Sequence, residues 1–128
     1  MNNKLLSFLG ITRKSGNIIF GMDSVKKEIL NDKIRLLLIT KDISENSFGE
    51  ISQTANEHNI QMLKINVTKD EINNATGKYA AIMGISNENF SKKIISLVTE
   101  NIEQNENTIR EEFNIWWLNT EYTRWQRT

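Results

Sequence analysis

The sequence predicts an α/β fold, a three-layer α-β-α sandwich with a mixed sheet of about four strands. Two observations predict it. Stretches with helical apolar spacing alternate with short apolar runs from Asn2 to about Asn101. The run IRLLLIT, residues 34–40, is apolar almost throughout, as in a central strand covered by helices on both faces. The chain of 128 residues is the length of one domain with a short appendage. The body is assigned to residues 1–101 and a Trp-rich C-terminal extension to residues 102–128.

Each element has its own signal. Asn2 or Asn3 can cap a first helix whose stripe is Leu5, Leu6, Phe8 and Leu9, with Gly16 as its stop. Ile18 to Phe20 is a short strand ended by Gly21. Met22 to Asn31 follows as a helix with Met22, Val25 and Ile29 inward, and Ile34 to Thr40 is the strongest strand. Ser44 caps a helix running to about His58, with Phe48, Ile51 and Ala55 on one face. Gln61 to Asn66 is a strand, and Thr68 with Glu71 forms a capping box that opens a short helix ending at Gly77. Tyr79 to Ile85 is the fourth strand. Asn89 to about Asn101 is the last helix of the body, with Phe90, Ile94, Leu97 and Val98 inward.

The extension is different in kind. Trp116, Trp117 and Trp125, the three Trp of the chain, stand there beside Phe113 and Tyr122. Ile109, Phe113, Trp116 and Trp117 fall on one face of a helix. Docking on the body, binding a protein partner, and an artefact of the reading frame all fit this pattern.

Composition excludes several classes. Cys is absent, so disulfides and thiolate metal sites are ruled out and a cytoplasmic setting is expected. No run of about 18 apolar residues is present, so no membrane span or membrane partner is expected. The N-terminal residues are too polar for a secretory signal. Net charge is zero, but it is unevenly spread. Residues 1–41 carry eight bases (Lys4, Arg13, Lys14, Lys26, Lys27, Lys33, Arg35, Lys41) against three acids, while residues 42–76 carry two bases against six acids. A neutral chain can therefore present one basic face to phosphate, although mixed charge on solvated helices accounts for the same counts.

Enzyme motifs are incomplete. Gly16 and Gly21 have the spacing that opens a P-loop, but Met22 and Asp23 stand where Lys and Ser/Thr must hold phosphate and Mg²⁺. His58 is the single histidine and falls at a helix end, so a zinc site or a nucleophile triad has too few parts. No cofactor, no metal and no catalytic residue is expected. What remains is the amino end of the helix after Gly21, where the free amides of Met22, Asp23 and Ser24 and the helix dipole favour an anion. Lys26 and Lys27 follow in the next turn, and Lys14 and Lys27 could both reach a phosphate backbone. Asp23 repels a phosphate directly above it but can accept a hydrogen bond from a base edge; it also serves simply as a helix-start residue.

RKSGNIIFGMDSVKKEI, IRLLLITKDIS and ATGKYAAIMGISNENFSKKIISL, in that order and spacing, resemble the kink-turn RNA-binding ribosomal-protein superfamily, most closely its small bacterial YlxQ-type members. The likeness covers about residues 3–98. It implies a non-catalytic protein that binds structured RNA, often ribosomal or within other ribonucleoproteins. In the family motif G-x-N-E-x-x-K, Asn and Glu meet sheared G·A pairs and Lys meets the backbone. Gly21 and Lys27 match it, whereas Asp23 and Ser24 replace the base-reading pair, and acidic residues here are common in the YlxQ-like branch. The resemblance further implies a contact loop at Gly77-Lys78-Tyr79-Ala80, where Tyr79 could stack on an extruded nucleotide, although it equally suits a cross-strand aromatic. In the family's fold Lys41 and Asp42, at the end of the central strand, stand beside the same surface. The expected RNA site is Lys14, Gly21, Asp23, Ser24, Lys27, Lys41, Lys78 and Tyr79, with rRNA as one partner. A protein-interaction adaptor on the same fold is the alternative, favoured by neutral charge and the aromatic extension.

Overall fold

The computed structural model describes residues 3–104, and the expected extension from residue 105 onward lies outside the described residues. Nine elements follow one another: α1 (Asn3–Lys14), β1 (Ile18–Phe20), α2 (Met22–Leu30), β2 (Leu36–Ile39), α3 (Glu45–Glu57), β3 (Met62–Lys64), α4 (Lys69–Thr76), β4 (Ile82–Ile85) and α5 (Glu88–Gln104). The strands form one mixed sheet in the order β1-β4-β2-β3. β4 runs antiparallel to both β1 and β2, and β2 runs parallel to β3. Helices cover both faces, so the expected three-layer sandwich is what the chain forms. None of the described helices is long and apolar enough to cross a membrane.

Strand alternation sorts the core into two halves. Leu36 and Leu38 point to one face, where they meet Leu5 and Leu9 of α1, Ile72 of α4, and Ile94, Leu97 and Val98 of α5. Leu37 and Ile39 point to the other, against Val25 and Ile29 of α2 and Ile51 and Ala55 of α3. All four β2 side chains have no exposed surface. Burying each contributes on the order of 1.5–3 kcal/mol, so the sheet is held from both sides. The expected inward stripes are all found, with Phe8 and Phe90 half-buried and packed edge to face at 5.4 Å.

The ends of elements differ from the sequence reading. β4 begins at Ile82 rather than Tyr79, because pairing with β1 and β2 starts there and residues 78–81 are needed to turn out of α4. β2 and β3 are likewise shorter than their apolar runs. α5 starts at Glu88 under an Asn87 cap, whose Oδ1 accepts from the Phe90 amide at 2.9 Å, and continues to Gln104. The Thr68 box is present: its hydroxyl accepts from the Glu71 amide at 3.2 Å, and Glu71 Oε1 accepts from the Thr68 amide at 2.9 Å.

Candidate nucleic-acid interface

Backbone hydrogen bonds gather four segments at one end of the sheet. The Gly21 amide donates to Ile82 oxygen at 3.0 Å, the Thr40 amide to Ala81 oxygen at 3.0 Å, and the Lys41 amide to Val67 oxygen at 2.9 Å. The chain thus leaves β1 into α2, leaves β2 through Lys41, approaches α4 and enters β4 all along this edge. Residues far apart in sequence become neighbours without any one segment carrying a complete motif.

Gly21 makes the first turn possible. Its φ of 94° and ψ of 152° lie where a side chain is strained, and nothing stands within 4 Å of the position a Cβ would take. The turn is therefore demanded by backbone conformation, and the space before α2 is open. No side chain caps this helix. The amides of its first turn accordingly face outward with the positive end of the dipole behind them. Asp23, Ser24 and Lys27 are exposed, and their i, i+3 and i, i+4 spacing makes them one ridge along α2. Lys26 is diverted to the other side, where its Nζ bonds Glu50 Oε2 of α3 at 2.7 Å.

The second part is the loop between α4 and β4. Gly77 takes a left-handed conformation (φ 83°) that closes α4, with its amide on Asn73 oxygen at 2.8 Å. The buried Thr76 hydroxyl donates to Ile72 oxygen at 2.8 Å and accepts from the Lys78 amide at 3.2 Å. This anchored base presents Lys78 and Tyr79 outward. Tyr79 is 62% exposed, which removes its reading as a cross-strand or core aromatic. Lys69 Nζ stands 5.6 Å from the Tyr79 ring centroid, a cation on an aromatic face.

Asp42 braces this arrangement. Its carboxylate oxygens accept from the Lys69 amide at 3.2 and 3.3 Å, tying the turn after β2 to the start of α4. Desolvation pushes its carboxyl up, but the backbone amides of Lys69 and of Asp42 itself, with the Lys69 charge, outweigh that and hold it below its ordinary value. No local signal in the sequence joins Lys69 to Asp42 and Tyr79, so its role emerges only from the fold.

The structure thus brings Gly21, Asp23, Ser24 and Lys27 at the start of α2, Lys41 after β2, and Lys78 and Tyr79 before β4 to one end of the sheet. Lys14 is placed differently. It ends α1, beyond the opposite end of β1, where Asn17 oxygen accepts from the Ser86 amide. Arg13 instead lies against the loop, its Nη1 3.6 Å from where a Gly77 Cβ would stand. Lys14, Lys27, Lys41 and Lys78 are exposed and form no ion pair among the described residues. His58 closes α3, with Nδ1 3.0 Å from Thr54 oxygen. Among the described residues no group of three or more His, Cys, Asp or Glu is placed to hold a metal ion.

Comparison with known proteins gives concordant relatives. Residues 3–95 match the family described as ribosomal protein L7Ae/L30e/S12e/Gadd45. The chain is 28% identical over 91 residues to the RNA-binding protein YlxQ of Bacillus subtilis, covering 70% of this chain and 90% of that protein. It is 23% identical over 95 residues to the YlxQ protein of Enterococcus faecium, covering 74% and 91% respectively. Among solved structures, a protein of unknown function from Bacillus halodurans aligns with a TM-score of 0.69 at 21% identity, over 75% of this chain and 97% of that one. The 15.5kD RNA binding protein of Giardia lamblia aligns with a TM-score of 0.62 at 14% identity, over 77% and 85%.

Proposed function

The chain belongs to the ribosomal protein L7Ae/L30e/S12e/Gadd45 family, and from that premise we propose that it is a non-catalytic RNA-binding protein acting on structured, kink-turn-like RNA, with ribosomal RNA as its setting. The observation that carries the reading is the exposed Tyr79 on its anchored loop, at the same sheet end as an uncapped α2 and lysines that form no ion pair among the described residues. An unpaired nucleotide stacks on the Tyr79 face not taken by Lys69, and Lys27, Lys41 and Lys78 neutralise phosphates on either side. Lys14 meets a more distant phosphate from the end of α1. Asp23 and Ser24 face base edges, where a carboxylate accepts from an amino group. Zero total charge is compatible with this chemistry because the field that RNA meets is local. The body, residues 1–101, carries the binding.

The test is the salt dependence of binding to a kink-turn RNA, measured by gel shift or anisotropy. Each neutralised phosphate contributes a slope of about 0.7–0.9 in log K against log salt. Four contacts weaken binding roughly 50- to 150-fold when salt rises fourfold. Lys27→Ala lowers affinity for all RNAs alike and reduces the slope by about one contact. Binding that ignores both salt and Lys27→Ala overturns the proposal. A chain that binds no RNA but assembles with itself or a protein partner favours the adaptor reading instead.

A further inference from the structure

On the face of the body formed by α1 and α5, away from the sheet end, lies a shallow apolar groove. Phe8, Ile11 and Leu97 form its floor and Lys4 and Lys93 stand on its rim. Ile11 is 54% exposed, a large aliphatic side chain left in water, and Phe8, packed edge to face with Phe90, is half-buried. Lys4 and Lys93 form no ion pair among the described residues. A groove of this kind is apolar inside, basic at the edge and unoccupied by the body itself.

The chain carries a segment with the complementary pattern. Ile109, Phe113, Trp116 and Trp117 fall on one helical face, and Glu106, Glu111 and Glu112 supply acidic charge beside them. Reach permits the match. Leu97 lies one and a half to two turns before the end of α5 at Gln104, about 10 Å along the axis. The connection from Gln104 to Ile109 spans up to about 17 Å when extended, more than enough to bring Ile109 back to the groove. We infer that residues 109–117 dock their aromatic face in the α1–α5 groove of the same chain, with Glu112 and its neighbours meeting Lys4 and Lys93. Docking covers Ile11 and Phe8 and leaves the RNA-facing sheet end unobstructed.

Tryptophan fluorescence of the full chain tests this directly, because Trp116, Trp117 and Trp125 are its three Trp and all lie in the extension. The emission of the folded chain is expected well to the blue of the same chain in denaturant. Ile11→Glu, a change at an exposed position, is expected to move it to the red by at least half that difference while far-UV circular dichroism stays the same. Phe113→Ser, which cannot disturb the body's core, is expected to do likewise, and solution mass is expected to be that of a monomer. Emission already at the denatured position overturns the inference. So does a blue emission unmoved by both variants, or one seen only at concentrations where the mass is that of a dimer.

Discussion

Replacing Gly21 by Ala tests how far the interface depends on a single backbone conformation. Nothing lies within 4 Å of the position the new methyl would take, so no steric clash contributes. The whole effect comes from φ 94° and ψ 152°, a region that costs a side-chain-bearing residue of order 1–3 kcal/mol. For a domain of this size that lowers the melting temperature by about 4–8 °C per kcal/mol. Gly49 is the internal control. It too has open space around its Cβ position, but it lies inside α3 with ordinary helical backbone. Gly49→Ala is therefore expected to stabilise by about 0.5–1 kcal/mol. Both variants are measured by urea unfolding with a shared slope, and the two shifts must have opposite signs. A neutral Gly21→Ala would refute the reasoning, since it would mean that the turn relaxes at no cost. In the RNA-binding assay Gly21→Ala is also expected to weaken affinity, because the amides of Met22 to Ser24 are aimed by this turn.

Three further outcomes follow from particular contacts. Thr68→Ala removes the capping box of α4 and is expected to cost about 0.5–2 kcal/mol in urea unfolding; an unchanged midpoint means the box contributes nothing. Asp42 has a carboxyl held below its ordinary value of 3.8, so its contribution is present above that pH and is lost as pH falls through the folded value. Asp42→Ala is thus expected to be less stable at pH 7 and to converge with the unaltered protein as pH falls through the lowered folded value, and a constant gap at all pH would contradict the brace. Tyr79→Ala alters an exposed side chain and is expected to leave stability within about 0.5 kcal/mol. Its loss of stacking, about 1–3 kcal/mol, should weaken RNA binding roughly 5- to 150-fold in a titration.

The sequence showed the layers well and the site in pieces. IRLLLIT announced a strand buried on both faces because continuous apolarity has few other uses at that length, and Leu36 to Ile39 are fully covered. The T-x-x-E box and the helix after Gly21 were equally legible, since caps and glycine turns are local chemistry. Tyr79 was misplaced in a strand because its apolar surroundings continue into β4, whereas pairing starts only at Ile82. The strand order β1-β4-β2-β3 has no local signal. For the same reason Lys69 could not be seen from the sequence: it reaches Asp42 and Tyr79 only once topology has folded three segments to one edge. Lys14 and Arg13 show the limit at finer scale. Both end the same helix, and it is Arg13 whose guanidinium meets the Gly77 turn.

The most direct measurement is an amide footprint, by chemical-shift perturbation or hydrogen exchange, of the full chain titrated with a kink-turn RNA. Changes are expected to concentrate at Gly21 to Lys27, at Lys41 and at Lys78 to Ala80, with the outer surfaces of α3 and α5 silent. A footprint centred on the α2–α3 groove around Leu30 and His58, or none at saturating RNA, would contradict that expectation.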